Sequence, residues 1–91
     1  MPVEQSYQVS DISGPTNAFA ITPSDSVDLM DGGSSVIIRA IYVGVSGNIK
    51  LTLLRGSVVT YTAVPQGVRL SGFITRVWAT GTTATSLIGE Y

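Results

Sequence analysis

The side chains that could do chemistry in this sequence are few, and the densest group is acidic. Asp25, Asp28 and Asp31 are spaced three residues apart and are followed by two glycines. Clustered carboxylates are ligands that calcium prefers. An EF-hand loop, however, alternates its ligands and ends in a glutamate, and this segment does neither. We therefore interpret residues 24–33 as a solvated loop with turn-forming aspartates, and we predict no metal site.

A catalytic centre is not predicted either. The chain has no histidine and no cysteine, so a serine or threonine nucleophile would have only Lys50 as its base. No serine stands in a Gly-x-Ser-x-Gly setting that would expose it for attack. The acidic residues lie mainly near the start of the sequence, in the 24–33 loop or near the end. We predict that the protein is not an enzyme and uses no cofactor.

Arginine and aromatic residues are better candidates for function, because both are enriched among the contacts that dominate protein interfaces. Arg76 and Trp78 lie two residues apart and share one face of a predicted strand, and Arg39 is predicted to lie on a neighbouring strand. With Tyr42 they form our candidate interface residues. The alternative is that Trp78 is a core aromatic and Arg76 a solvated strand charge. Both interpretations hold if the indole ring lies beneath an interface.

A second use of the aromatic residues is open at this stage. Aromatic rings can serve as stacking platforms for sugar rings, so the chain could also be a carbohydrate-binding or receptor-binding β module. The rings available for this are Tyr7, Tyr42, Tyr61 and Trp78.

Composition restricts the class of protein further. The chain has 91 residues, of which 44% are hydrophobic and 12% charged, which predicts one small folded domain. The net charge of −1 gives no basic face for nucleic acid. Arg39 interrupts the longest apolar run, 36–45, so no membrane span is predicted. Without cysteine a small domain has no disulfide, so we expect maturation in the cytoplasm or stabilisation by oligomerisation.

The elements that must position these residues are predicted to be strands. Apolar and β-branched residues alternate in short runs separated by turn residues, and no segment shows a sustained helical period. Short turns at 46–47 and 55–56 predict an antiparallel three-strand meander over residues 36–64. Gly72 inside a long strand predicts a bulge. The predicted strands are 18–21, 36–44, 48–54, 57–64, 69–80 and 86–91.

These elements predict an all-β domain, a small antiparallel β-sandwich or barrel of five to six strands. The domain covers residues 18–91. Residues 1–17 are polar and broken by Pro2, Gly14 and Pro15, so they are predicted to form an extended N-terminal arm that docks on a neighbour.

Several runs of the sequence together resemble a known family. The chain contains RAIYVG at 39–44, GNIKLT at 47–52, VPQG at 64–67 and ITRVWATGTTA at 74–84. With FAITP at 19–23 and IGEY at 88–91, these runs resemble the small head-spike base proteins of gene transfer agents and related tailed phages. The most specific run is RVWATGTT. The sequence departs from the expected pattern at 70–73, where LSGF replaces a Leu-Pro pair, and in the unmatched arm.

The resemblance implies a virion structural protein on the outside of an icosahedral head. Such a protein would form the homo-oligomeric base of a head spike or fibre at the capsid vertices, as a pentamer or alternatively a trimer. Its partners would be the major capsid protein and a spike or fibre protein, with no nucleic acid and no membrane. It would be made in the host cytoplasm. The alternatives are a decoration (cement) protein of the capsid lattice and a tail or baseplate component.

Overall fold

The computed structural model of the protein describes residues 15–91, and over this range the chain contains strands and no helix. Consequently, none of these residues forms a helix that is long and apolar enough to cross a membrane. The strands are β1 (Ala18–Ala20), β2 (Met30–Asp31), β3 (Ser34–Ser35), β4 (Ile38–Val45), β5 (Gly47–Leu53), β6 (Val58–Val64), β7 (Arg69–Val77) and β8 (Thr85–Glu90).

Six of the strands form one antiparallel sheet in the order β1-β8-β4-β7-β5-β6. The prediction of an all-β antiparallel domain with five to six strands is confirmed. The remaining pair, β2 and β3, lies partly in the segment that was predicted to be a loop. Gly32 and Gly33 both have positive φ (62° and 89°), and this conformation is the one that a two-residue hairpin turn requires.

The predicted three-strand meander is wrong. β5 and β6 form the expected hairpin, but β4 pairs with β7 and β8. β7 is the longest strand and lies between β4 and β5: it pairs with β4 from Arg69 to Ile74 and with β5 from Ile74 to Val77. The apolar residues on both faces of β4 favour this central position, because neighbours on both sides help to bury them.

The pairing of β7 is irregular at two points, one along β4 and one along β5. Between the pairs Ile38–Ile74 and Ala40–Ser71, β7 contains one residue more than β4. Gly72 lies at this irregularity with a φ of 152°, which confirms the predicted bulge. The strand ends at Val77, before the predicted residue 80, because the chain turns through residues 79–81 directly after Trp78.

The sheet is rolled around its core. The carbonyl oxygen of Asn48 in β5 accepts hydrogen bonds from the amides of Thr83 (2.8 Å) and Ala84 (3.1 Å), which lead directly into β8. The beginnings of β5 and β8 are therefore joined although the two strands are not neighbours in the sheet order. The largest fully buried side chains inside the roll are Ile38, Ile41, Val43, Ile49, Leu51, Ile74 and Val77.

Candidate functional site

The ring of Trp78 is held between cationic side chains of two strands. Lys50 Nζ from β5 lies 4.7 Å from the ring centroid, and the guanidinium carbon of Arg76 from β7 lies 5.2 Å away. The indole Nε1 donates a hydrogen bond to Thr52 Oγ1 at 2.9 Å. Lys50 and Thr52 alternate with the buried Ile49 and Leu51, so they project from the outer face of β5. The indole group is half-buried. Its N–H is held by the hydrogen bond to Thr52, and its ring lies against the two cationic side chains.

Arg76 is hydrogen-bonded to the loop that precedes β2. Its Nε donates to Asp28 Oδ1 at 2.8 Å, and its terminal nitrogens lie within 3.4 Å of the carbonyl oxygens of Asp25 and Ser26. Only 23% of the Arg76 side chain is exposed. A guanidinium with three acceptors in one loop fixes that loop against the sheet. Arg76 therefore stabilises the subunit itself.

The three aspartates that drew attention in the sequence point to different parts of the domain. Asp25 accepts hydrogen bonds from the amide (2.8 Å) and the hydroxyl (2.6 Å) of Thr80, and the hydroxyl bond is the main cause that lowers the pKa of Asp25. Asp31 accepts a hydrogen bond from the hydroxyl of Tyr91, which raises the pKa of that phenol. Among residues 15–91, no three acidic, histidine or cysteine side chains are grouped so as to hold a metal ion.

Two threonines of the run RVWATGTT, Thr82 and Thr83, bind the first part of β5, which β7 leaves unpaired. Thr82 Oγ1 accepts a hydrogen bond from the amide of Lys50 (3.0 Å), and Thr83 Oγ1 accepts one from the amide of Asn48 (2.8 Å). The amide of Trp78 donates to the carbonyl of Lys50 (2.8 Å). The most specific run of the sequence thus satisfies the backbone of a neighbouring strand. Sequence reasoning missed this role, because it depends on the path of residues 78–84 along β5.

A second polar group lies between β4, β7 and β8. Arg69 Nε donates to both carboxylate oxygens of Glu90, at 3.0 and 3.1 Å, and its guanidinium carbon lies 5.3 Å from the centroid of the Tyr42 ring. Glu90 is only 8% exposed, whereas the Arg69 side chain is largely in solvent. The bond to Glu90 is the main cause that raises the pKa of Arg69. Arg69 thus supplies, from the surface, the positive charge that balances the buried carboxylate of Glu90.

Arg39 belongs to this second group and not to the first. It is exposed and lines an open groove of about 810 Å³ together with Arg69, Glu90 and residues 15–18. The structure therefore brings Arg76 together with Trp78, and it places Arg39 and Tyr42 around Arg69. β4 is indeed a neighbour of β7, as expected. Arg69 was missed because its contact with Tyr42 follows from the β4–β7 register, which the predicted meander did not contain.

Large apolar side chains are also exposed. Phe73, at the bulge of β7, is 58% exposed, and its carbonyl accepts a hydrogen bond from the amide of Leu54 (2.8 Å), which is itself 51% exposed. Scattered apolar residues are normal on a surface. Here they add to an apolar composition that a small domain cannot bury completely, as expected for a chain that assembles. The other exposed members are Val27, Met30, Ile37, Val45, Val58 and Tyr61.

Comparisons with known proteins identify a similar chain among the solved structures. No family model matches the chain, and no curated protein matches it. A solved structure, the capsid of a native GTA (gene transfer agent) particle computed with C5 symmetry, contains a similar chain. The two share 39% sequence identity with a TM-score of 0.71, and the alignment covers 85% of this chain and 83% of that chain. The expected resemblance is thus confirmed at the level of the capsid particle.

Proposed function

We propose a role on the outside of an icosahedral head for this chain, which belongs to the same family as the matching protein in the capsid of the native GTA particle. Its function is that of a virion structural protein. More specifically, we propose that it forms the homo-oligomeric base of a head spike or fibre at the capsid vertices. The observation that carries this proposal is the 39% identity over most of both chains, to a protein that is part of a capsid.

The structure of the domain supports a non-enzymatic role. Lys50 and Arg76 both lie against the ring of Trp78, and Arg76 is also bonded to the loop at 24–29. Arg69 is engaged with Glu90. A catalytic group would need a positioned acid, base or nucleophile facing a substrate. The two polar groups instead hold strands and loops together, as expected of a building block.

The same contacts favour a structural protein over a sugar-binding module. Cationic side chains lie against the rings of both Trp78 and Tyr42, and these rings are half-buried. Tyr61 is exposed, and Tyr7 lies outside the described residues. A glycan array tests the alternative: selective, strong binding by the isolated protein would favour a receptor-binding module.

We propose a pentamer at each vertex, with a trimer as the alternative; a pentamer is compatible with the C5 symmetry with which the related capsid was computed. In this proposal the subunit contacts the major capsid protein on one side and a spike or fibre protein on the other. We assign Arg39 and Tyr42 to intermolecular contact, because Arg39 lines the open groove and the ring of Tyr42 lies against Arg69, which also lines it. Arg76 and Trp78 act within the subunit.

The predicted arm gives the most accessible test of capsid attachment. Residues 1–14 lie outside the described part of the chain, whereas Thr16 and Asn17 are bonded to the carbonyl of Tyr91. Deletion of residues 2–14 therefore preserves every contact among residues 15–91. We expect the variant to fold and oligomerise, with its occupancy on purified heads reduced about ten-fold or more, as a loss of about 1.4 kcal/mol or more of docking free energy would produce. Occupancy is measured by quantitative mass spectrometry of the particles.

Two outcomes would contradict different parts of the proposal. Unchanged occupancy of the deletion variant would remove the arm from capsid attachment. Absence of the full-length protein from purified heads would contradict the virion role itself. Replacement of residues 2–14 by a Gly/Ser segment of equal length is the matched control, since it retains length but not sequence.

A further inference from the structure

Among residues 15–91, one edge of the sheet is long, uncharged and not paired with a further strand. β6 is the last strand of the sheet order and has β5 as its neighbour in the sheet. Its sequence, VVTYTAV, contains no charge and no proline, and most of its residues are exposed. Natural proteins usually protect such an edge with lysine, proline, a short strand or a cover. A seven-residue edge without these features is suited to pairing with another chain.

The backbone groups available for pairing follow from the β5–β6 ladder. The amide of Leu53 donates to the carbonyl of Ser57 at 2.8 Å, which marks this pair as hydrogen-bonded. Because hydrogen-bonded and non-bonded pairs alternate along an antiparallel ladder, every second residue of β6 directs its amide and carbonyl away from β5. In the regular part of the ladder these residues are Val58 and Thr60, because the register shifts between Tyr61 and Val64.

The opposite edge of the same sheet is formed by β1. Asn17 and Tyr91 exchange two hydrogen bonds of 2.9 Å, so by the same alternation Ala18 and Ala20 direct their backbone groups away from β8. The amide of Ala18 is bonded to its neighbour's side chain, Asn17 Oδ1. Among residues 15–91, the amide of Ala20 has no backbone hydrogen-bond partner outside the strand ladders. Each of the two edges thus has residues whose backbone amide and carbonyl groups point away from the sheet.

An apolar groove accompanies the β1 edge. It has a volume of about 370 Å³, and its apolar lining comes mainly from Phe19, Val27, Leu29 and Met30. Val27 and Met30 are 51% and 43% exposed, so the groove is open to a partner. At the β6 edge, Tyr61 is 37% exposed. Tyrosine is enriched among interface hot spots, because a large ring is buried there at little cost in conformational entropy.

Tyr61 and the groove lie on corresponding sides of the sheet. Tyr61 pairs with Ile49 and Phe19 pairs with Gly89, which in turn pairs with Ile41. Ile49 and Ile41 are both fully buried, and directly paired residues project from the same face of a sheet. Tyr61 and Phe19 therefore both project from the core side. If β6 of one copy continues the sheet beyond β1 of another, Tyr61 comes next to Phe19.

We infer that the β6 edge of one copy pairs with the β1 edge of the next, with Tyr61 entering the groove lined by Phe19, Val27, Leu29 and Met30. This inference rests on the proposed homo-oligomer and identifies its interface. The contact joins two different surfaces, so it is heterologous, and repetition of such a contact can close a ring. Pairing of β6 with β6 would instead give a two-fold dimer.

Cysteine cross-linking distinguishes these arrangements, because the chain has no native cysteine. The side chains of Ala20 and Thr60 both project from the outer face, since they alternate with Phe19 and Tyr61. Mixing the single variants Ala20→Cys and Thr60→Cys under oxidation is expected to give a disulfide-linked heterodimer. The double variant is expected to give a ladder that ends at the ring size. A Thr60→Cys homodimer as the main product would overturn the inference.

Substitutions at the β6 edge provide the second measurement. Thr60→Pro removes an amide that points away from β5, which an edge strand tolerates, and Thr60→Val is the control that keeps the amide. Tyr61→Ala removes the ring, and Tyr61→Phe keeps it. We expect Thr60→Pro and Tyr61→Ala to raise the apparent dissociation constant of the oligomer about ten-fold or more. The two control variants are expected to assemble.

The outcomes separate this inference from the proposed function. Oligomers that persist in both Thr60→Pro and Tyr61→Ala, without cross-linking between residues 20 and 60, would overturn the interface but not the virion role. Full-length protein that is monomeric both in solution and on purified heads would contradict the homo-oligomer itself.

Discussion

The contact that closes the rolled sheet can be tested at Gly47. A Cβ atom added at this position would lie 2.5 Å from the amide nitrogen of Ala84 and 2.8 Å from the carbonyl carbon of Thr83. Both are backbone atoms, so no side-chain rotation can relieve the overlap. Gly47→Ala therefore forces the 82–84 segment away from β5 and weakens the two bonds that Asn48 O accepts there.

The expected loss follows from the two effects. Overpacking costs about 1–3 kcal/mol, and a rigid backbone contact belongs at the upper end of that range. Loss of the hydrogen bonds to Asn48 adds about 1 kcal/mol. The free energy of unfolding is therefore expected to fall by about 3–4 kcal/mol, out of the ~5–15 kcal/mol of a natural domain. For a domain of this size, the melting temperature is expected to fall by about 12 °C or more.

Urea and thermal unfolding can be followed by fluorescence, because Trp78 is the only tryptophan in the chain. Gly56→Ala is the matched control: Gly56 also has positive φ (99°), but an added Cβ would meet no atom within 4 Å. The control is expected to lose only about 1 kcal/mol through backbone strain. Equal stability of the two variants would refute the argument that residues 82–84 press against β5.

Three further predictions concern the polar groups. The pKa of Asp25 is lowered from 3.8, so its contribution to stability is present above that pH and is lost as the pH falls through the lower folded-state pKa; Asp25→Asn should flatten this acid-side decline in urea midpoints. Trp78→Phe should lower the free energy of unfolding by about 1 kcal/mol, because the hydrogen bond to Thr52 is lost. The double variant with Thr52→Val should lose less free energy of unfolding than the sum of the two single variants, as measured by circular dichroism; an additive loss would contradict the bond. Arg69→Met should destabilise the domain more than Arg69→Lys in thermal melts, because it leaves the buried Glu90 without its cation; equal effects would contradict the ion pair.

Local sequence patterns predicted the strands well and their neighbours poorly. The β5–β6 hairpin and the bulge at Gly72 follow from a short turn and from a glycine inside a strand, which are local signals. The position of β7 between β4 and β5 is non-local. The short turn at 46–47 favoured a hairpin, but pairing with β7 and β8 gives the apolar β4 a neighbour on each side.

The candidate site likewise depends partly on local sequence signals and partly on non-local contacts. That Arg76 and Trp78 share a face follows from the two-residue period of a strand. Their partners Asp28 and Lys50 come from a loop and from another strand, and nothing in the local pattern fixes where these lie. The contact of Arg69 with Tyr42 required the β4–β7 register, which only the folded chain provides.

The central claim is that this protein is a structural component on the exterior of the head, at its vertices. The most direct measurement is a cryo-electron microscopy reconstruction of purified parent particles, with symmetry imposed only around each vertex. We expect density that fits residues 15–91 in a ring on the outer surface above each five-fold vertex. Vertices without such density, in particles that mass spectrometry shows to contain the protein, would contradict the claim, as would particles from which the protein is absent.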